Sequence, residues 1–264
     1  MHSNLSNVVR TYRERGFWRV LRTAVERLKL PSSSKSRWRK GIGSEAEFWD
    51  SYFRTRGLEW PDDYRERLDP DRRLQPRPAA LLPAGTDLRV LDVGAGPLTY
   101  LGKKVEGRQI TITAVDPLAD TYDELLAKYD VRPIVRTTKL EAEHLDRQFA
   151  PGTFDLVFAR NCIDHSFDPE RAILNMVGVV KDHCYVLLEH RPNEAETNKY
   201  TGLHQWNFST SGAGEFIIRG RDSSVNITEK YAGSFRATCE MVTDRQEEGE
   251  WLITRILKAP APKH

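Results

Sequence analysis

Arg89-Val90-Leu91-Asp92-Val93-Gly94-Ala95-Gly96-Pro97-Leu98-Thr99 is the stretch that decides the fold. The apolar run from Leu88 to Val93 is typical of a buried strand, and a helix is expected from about Leu98. Gly94 and Gly96 carry no Cβ, so the backbone can turn tightly there and a ligand can approach closely. Free amides at the start of the following helix would favour a polar or anionic ligand group.

Two carboxylates frame this turn. Asp92 lies two residues before Gly94, and Asp116 ends the next apolar run, 24 residues after Asp92. This separation is close to the spacing of about 20 residues at which an acidic residue binds a nucleotide ribose. The alternative role for Asp116 is the N-cap of the next helix. Thr99 stands where the dinucleotide-binding pattern has its third glycine, which counts against a nicotinamide-dependent dehydrogenase.

Strand and helix patterns alternate after residue 85, which predicts a mostly parallel sheet with crossover helices. The predicted strands are 88–93, 109–115, 133–136, 154–160 and 184–190, and the predicted helices are about 98–105, 120–129 and 169–180. After an irregular segment, four more strand patterns occur at 214–219, 225–231, 235–242 and 250–257. The expected fold class is α/β, a Rossmann-like sheet with flanking helices, an N-terminal helical extension and a β-rich C-terminal part.

The chain divides into three predicted segments. Residues 1–43 are expected to form a basic amphipathic helix and a linker, 44–84 a helical lid or substrate segment, and 85–264 the α/β domain with its β-rich cap. Within the second segment, a helix is predicted from Ser44 to Arg56. Its aromatic face indicates either core packing or a lid over a ligand; the face consists of Phe48, Trp49, Tyr52 and Phe53.

The composition is that of a globular chain, with 39% hydrophobic and 30% charged residues among 264. No apolar run approaches the length of about 18 residues that indicates a membrane span, and no signal-peptide pattern is present. Three widely spaced cysteines argue against a disulfide framework or a zinc site; they are Cys162, Cys184 and Cys239. A cytoplasmic protein with reduced thiols is therefore expected.

Positive charge is concentrated near the N-terminus. Residues 8–40 hold eleven Lys or Arg residues and only two acidic ones, although the whole chain has a net charge of +2. A basic amphipathic helix over about 8–30 can pack on protein, including a second subunit, or lie on an anionic membrane or lipid-linked substrate. We expect a homo-oligomer such as a dimer and no nucleic-acid partner, because a basic cluster alone is weak evidence for nucleic-acid binding.

Four segments in the central region resemble the motifs of class I S-adenosylmethionine-dependent methyltransferases. The segments are Val90–Gly96, Val115–Leu118, Leu140–Leu145 and Phe154–Asn161, and they occur in the order of that family over about residues 85–190. The resemblance implies S-adenosyl-L-methionine as cofactor. It places the methionine end near Asp92, Gly94, Gly96, Ala159 and Arg160, the ribose on Asp116, and the adenine against Pro117, Leu118, Glu141 and Ala142.

Methylation of a hydroxyl requires loss of a proton, for which histidine is a suited base. His165 follows the fourth predicted strand, Glu189 and His190 end the fifth, and His204 lies in the loop beyond. These four residues are the candidate catalytic groups, with Asp164 as a further contact to substrate or metal. Mg²⁺ is retained as a candidate second cofactor, but no ligand spacing such as Asp-x-Asp identifies its ligands.

The sequence therefore predicts an O-methyltransferase acting on a small molecule, with histidine-assisted deprotonation. A saccharide or glycoconjugate acceptor is suggested by the polar strand ends and by Trp206, which is suited to stack on a sugar ring, and the 204–207 region resembles bacterial saccharide methyltransferases. Two alternatives stay open, namely N- or C-methylation of another metabolite and a non-catalytic scaffold that binds the cofactor.

Overall fold

The computed structural model describes residues 34–244 and 249–259. A seven-stranded sheet lies at the centre of this part of the chain. The strands of this part are β1 (Asp87–Val93), β2 (Gln109–Asp116), β3 (Thr137–Lys139), β4 (Phe154–Arg160), β5 (Val180–His190), β6 (Asn207–Thr210), β7 (Phe216–Arg219), β8 (Ser224–Asn226), β9 (Phe235–Asp244) and β10 (Gly249–Lys258). The large sheet has the order β3-β2-β1-β4-β5-β10-β9, with the first five strands parallel and β10 antiparallel to both neighbours. The predicted Rossmann-like α/β class is confirmed.

Helices cover the sheet and lead into it. They are α1 (Ser34–Thr55), α2 (Pro61–Leu68), α3 (Pro76–Ala80), α4 (Ala119–Lys128), α5 (Pro169–Val179), α6 (Glu194–Thr197) and α7 (Ile227–Lys230), with 3-10 turns at Ala142–Arg147 and Ile163–His165. The antiparallel strands β6, β7 and β8 form a separate small sheet. Among the described residues, no helix is long and apolar enough to cross a membrane.

Apolar residues of the parallel strands alternate between the two faces of the sheet. Leu91, Val157 and Leu188 pack with α5 and the small sheet, whereas Val90 and Leu187 pack on the opposite face. A third cluster joins the aromatic face of α1 to α4 and to the loop after β1. The core thus fixes the carboxyl ends of β1, β2, β4 and β5 at one edge of the sheet, where ligands of such folds bind.

The loop after β1 differs from the prediction, because no helix follows the glycine turn over 98–105. Side chains from the preceding segment bind the carbonyls that a helix would use. Arg67 donates to the Leu98 carbonyl, and Arg72 and Gln75 both donate to the Tyr100 carbonyl. The expected anion site at a helix start is therefore absent from this part of the described chain, and an irregular loop occupies its place.

Four other local predictions are corrected. Helix α1 begins at Ser34, ten residues before the predicted Ser44, so the boundary drawn between 43 and 44 falls within a helix. The third strand lies at Thr137–Lys139 rather than 133–136, and the strand predicted at 225–231 is mostly helix α7. Strand β6 lies in the segment 191–213 that the sequence indicates as irregular. The predicted helix over 8–30 lies outside the described residues.

Candidate functional site

Asp92 lies at the carboxyl end of β1 with its side chain buried. The Thr99 hydroxyl donates to Asp92 Oδ2, and the Leu101 amide donates to the Thr99 hydroxyl oxygen at 3.1 Å. Burial raises the pKa of Asp92 to about 7, although the Thr99 hydrogen bond and the Arg67 charge oppose the rise. The residue that replaces the third glycine therefore holds the strand-end carboxylate in place.

Asp92 should make stability depend on pH. Between about pH 4 and about pH 7, the folded chain keeps a proton on the buried Asp92 carboxyl, whereas the unfolded chain has lost it. The free energy of unfolding therefore falls as pH rises through this range, by about 1.4 kcal/mol for each unit by which folding raises the pKa. We therefore expect the free energy of unfolding of the wild type, minus that of Asp92→Asn, to fall between pH 5 and pH 7.5. Urea unfolding at the two pH values measures it, and a rising difference would contradict the assignment.

Asp116 ends β2 beside the glycine turn and is also buried. Its Oδ2 accepts the Gly96 amide at 3.1 Å, its Oδ1 accepts the Leu118 amide at 2.9 Å, and Tyr122 adds a side-chain hydrogen bond. Burial raises the pKa of Asp116 to about 7, and the nearby Glu45 carboxylate adds to the rise. The carboxylate thus links the end of β2 to the turn after β1.

The two glycines of the turn have left-handed backbones, with φ of 68° at Gly94 and 63° at Gly96. A Cβ on Gly94 would lie 2.4 Å from Cys162 Sγ, and a Cβ on Gly96 would lie 2.7 Å from the Trp49 ring. The aromatic face of α1 therefore covers the glycine turn directly. A ligand that enters the turn in front of Gly96 has to displace the Trp49 ring.

Gly96→Ala tests the contact between the glycine turn and Trp49, and Gly107→Ala is the control for the backbone strain alone. Gly107 has nearly the same φ, 65°, but nothing lies within 4 Å of a Cβ built there. Both variants bear the left-handed penalty of about 1–2 kcal/mol, and only Gly96→Ala adds an overpacking cost of about 1–3 kcal/mol against Trp49. We expect the larger loss of unfolding free energy for Gly96→Ala in denaturant titrations. Equal losses would show that Trp49 does not pack on the turn.

Helix α1 also contacts the predicted adenine side. Lys35 Nζ and His144 Nδ1 lie 2.9 and 2.7 Å from Glu141 Oε2, and Lys35 lies over the Phe167 ring. Leu118 is buried in the cluster that joins α1 to α4, while Pro117 and Ala142 are half-buried. Two of the predicted adenine residues, Leu118 and Glu141, therefore pack against α1 or pair with it.

Arg160 and Glu189 form an ion pair between neighbouring strands. Arg160 Nη1 donates to Glu189 Oε2, and the Arg160 guanidinium lies 4.2 and 3.8 Å from the ring centres of Tyr100 and Trp251. Arg77 is 3.6 Å from the other Glu189 oxygen. Ala159, the neighbouring cofactor candidate, is fully buried. Glu189 therefore does not join the predicted catalytic histidines.

Polar side chains from three segments of the chain meet around His165. Its Nε2 is 3.0 Å from His204 Nδ1 and 3.5 Å from Asp164 Oδ2, and Glu194 lies close to the same atoms. Burial raises the pKa of Asp164 and of Glu194 to about 7 and lowers the pKa of His204 to about 4. We call these four side chains, Asp164, His165, Glu194 and His204, the histidine–carboxylate cluster.

His190 lies behind this cluster, with 1% of its surface exposed. Its Nε2 accepts the Ile163 amide at 3.2 Å, which identifies the neutral tautomer with the proton on Nδ1. Burial lowers the pKa of His190 to about 3, and the charges of His165 and Arg160 act in the same direction. These contacts orient the turn that carries Asp164 and His165.

Three residues of the site were not singled out from the sequence. Glu194 carries no local signal, because only the course of the loop after β5 brings it to Asp164. Glu45 accepts the Trp49 indole N–H at 2.9 Å and approaches Asp116, and Tyr122 bonds to Asp116 from α4. The aromatic face of α1 was the available signal for the covering role of Trp49.

A comparison with protein families matches residues 91–188 to a model described as a methyltransferase domain. The matched segment begins within β1 and ends near the end of β5, so it contains the glycine turn, Asp116 and His165. A comparison with curated proteins gives no significant match. The chain resembles the class I S-adenosylmethionine-dependent methyltransferases in these residues and in its strand order.

Solved structures resemble the fold at low sequence identity. A chain from the Haloferax volcanii complex with the Trm112 methyltransferase activator is 12% identical, with 84% of this chain and 99% of that chain covered and a TM-score of 0.47. Haemonchus contortus phosphoethanolamine N-methyltransferase 2, in complex with S-adenosylhomocysteine, is 16% identical, with coverages of 69% and 51% and a TM-score of 0.44. Likeness at this level carries no inference about the reaction.

Proposed function

We propose, on the premise of a methyltransferase domain at residues 91–188, that the protein transfers a methyl group from S-adenosylmethionine to a hydroxyl of a small molecule. One observation carries this proposal: buried Asp92 and Asp116 end adjoining strands on either side of the Gly94 and Gly96 turn. Such a turn and strand-end acid suit a nucleoside whose ribose hydroxyls donate to the carboxylate.

The hydrogen bonds that Asp116 accepts in the structure leave it able to bind the ribose of this cofactor. The Gly96 and Leu118 amides and the Tyr122 hydroxyl leave Asp116 with unused acceptor capacity, since a carboxylate has about four acceptor positions. We assign Asp116 to the ribose and Asp92, with the turn, to the methionine end. We also propose that α1, together with the rest of the predicted lid segment 44–84, acts as a lid, because its Trp49 covers Gly96.

The histidine–carboxylate cluster is our candidate for activating the acceptor. S-adenosylmethionine supplies a methyl group on a positively charged sulfur, which keeps the electron pair of the broken bond when the acceptor oxygen gains the methyl. The acceptor hydroxyl must lose its proton, and His165 with His204 is placed to assist that loss. In the proposal His190 positions the cluster, and Glu189 positions Arg160 at the predicted methionine side.

A saccharide or glycoconjugate is the acceptor class that we propose. The support is the group of polar side chains beyond the ends of β4 and β5, His165, Glu194 and His204, whose types exchange hydrogen bonds with sugar hydroxyls. Trp206 gives less support than its sequence position indicates, because its Nε1 donates to the Ser166 carbonyl at 2.9 Å and its ring packs near Gly220. The homo-oligomer and the contact of residues 8–40 with a lipid-linked acceptor stay predictions.

The reaction can be tested by incubating the protein with methyl-labelled S-adenosylmethionine and panels of acceptors. One panel contains free and nucleotide-linked saccharides, and the others contain amines and carbon acids of similar size. We expect label on a saccharide hydroxyl, located by NMR. Label on nitrogen or carbon would replace the O-methylation assignment, and cofactor binding without transfer to any panel would favour the scaffold alternative.

A further inference from the structure

Four side chains of types that ligate metals meet beside the proposed acceptor site. Asp164 and His165 follow β4, whereas Glu194 belongs to α6 and His204 to the loop beyond it. One ligand atom from each residue lies within 4.8 Å of the other three. The two imidazole nitrogens are 3.0 Å apart, and the His165 nitrogen is 3.5 Å from an Asp164 oxygen.

Three of the four carboxylate oxygens in this cluster have no hydrogen-bond partner in the described chain. Both Asp164 oxygens and Glu194 Oε2 are buried without a hydrogen-bond partner, and Asp164 is 1% exposed. A ligand oxygen of Asp164 and one of Glu194 lie within 4.8 Å of each other in this buried space. Carboxylates that face each other away from water need a proton or a cation between them.

We propose that Asp164, His165, Glu194 and His204 bind one divalent first-row transition-metal cation. Two imidazoles and two carboxylates suit Zn²⁺ or Mn²⁺, whereas Mg²⁺ prefers an all-oxygen shell that retains water. Tetrahedral ligands about 2.0–2.1 Å from a metal lie about 3.3 Å from one another. The distances of 3.0 and 3.5 Å at His165 fall on either side of that value.

Buried hydrogen bonds hold the two ligand-bearing segments against each other. The Trp206 indole N–H donates to the Ser166 carbonyl at 2.9 Å, which ties the His204 loop to the His165 turn. Asn207, fully buried, accepts the Glu196 amide at 2.8 Å and donates to the Tyr200 hydroxyl at 2.9 Å. Such outer contacts orient metal ligands before the metal arrives.

The cation would activate the acceptor hydroxyl in the proposed methyl transfer. Only this activation step rests on the proposed function, and the metal site itself does not. Cys162, two residues before Asp164, lies against the glycine turn: its Sγ is 3.1 Å from the Val93 carbonyl oxygen and 2.4 Å from a Cβ built on Gly94. The cluster therefore lies beside the proposed cofactor site. A hydroxyl that binds the cation as a fifth ligand would have a lowered pKa and would give its proton to water. The oxygen would then take the methyl group, and the sulfur would keep the bonding electron pair. His165 and His204 assist as ligands in this account.

Metal binding can be measured without cofactor or acceptor. The full chain is treated with a chelator, dialysed, and titrated calorimetrically with Zn²⁺ and with Mg²⁺, and Co²⁺ absorption is recorded separately. We expect one equivalent of Zn²⁺, weaker Mg²⁺ binding and a visible Co²⁺ band. Glu194→Gln should lower Zn²⁺ affinity by about 100-fold, whereas the matched variant Glu196→Gln, on the exposed side of the same short helix, should keep it.

His204→Ala provides a second test if Glu194→Gln does not fold, as judged by circular dichroism. Zn²⁺ binding far below one equivalent, or equal affinities for Glu194→Gln and Glu196→Gln, would overturn the metal site. Titration of the same preparations with S-adenosylhomocysteine separates the two proposals. Cofactor product bound without Zn²⁺ binding removes the metal site alone, and Zn²⁺ bound without the product removes the methyltransferase proposal alone.

Discussion

His165→Ala is expected to lower the rate of methyl transfer by about 10²- to 10⁴-fold, the range for loss of a group that activates a nucleophile. Its imidazole contacts both His204 and Asp164, so alanine removes the centre of the histidine–carboxylate cluster. The residue makes no contact with Asp92 or Asp116 in the structure. Affinity for S-adenosylhomocysteine should therefore be unchanged, and turnover with calorimetry on the same preparation measures both.

A remote histidine provides the control for this prediction. His183 is exposed on β5, away from the cluster, and has φ of 61°, so asparagine is the suitable replacement there. His183→Asn should turn over as fast as the wild type. Wild-type turnover by His165→Ala would remove His165 from the mechanism, and a joint loss of cofactor binding would show that the substitution disturbs the glycine turn.

Asp116→Ala is expected to weaken S-adenosylhomocysteine binding by about 10- to 150-fold, because loss of a charged hydrogen-bond acceptor costs about 1.5–3 kcal/mol. The carboxylate also holds the Gly96 and Leu118 amides at 3.1 and 2.9 Å, so its loss frees the turn as well. Asp116→Asn keeps the size and one acceptor oxygen and should give a smaller loss. Isothermal titration of the three proteins measures the series.

Asp120→Ala is the matched control for Asp116. Asp120 lies four residues further on, in the first turn of α4, where it is exposed and pairs with Lys139. Its loss should leave the affinity for S-adenosylhomocysteine unchanged. Similar affinities for Asp116→Ala and the wild type would show that Asp116 serves only as a support for the Gly96 and Leu118 amides.

The sequence predicted the sheet well where local pattern and burial agree. Strand β4 has the predicted bounds, β1 and β2 differ by one residue at an end, and the last two strand patterns form the antiparallel edge pair β9 and β10. The apolar runs of β1 and β4 face a core on both sides, so their composition reflects their structure. The two strand-end carboxylates and the glycine turn came from the same local signals.

The remaining features depend on contacts between distant segments. The helix expected after Gly96 is absent because Arg67, Arg72 and Gln75 bind backbone carbonyls of that loop from 25 to 31 residues upstream. Glu194 reaches Asp164 through the path of the loop after β5, which no periodicity encodes. His165 and His204 were both candidates from the sequence, but their contact across 39 residues required the structure.

The central claim is that the strand-end carboxylates and the glycine turn bind the cofactor of a methyltransferase. Calorimetric titration of the wild-type protein with S-adenosylhomocysteine, NAD and NADP in parallel tests it most directly. We predict micromolar binding of S-adenosylhomocysteine and no binding of either dinucleotide. Binding of NAD or NADP, with no binding of S-adenosylhomocysteine, would contradict the account.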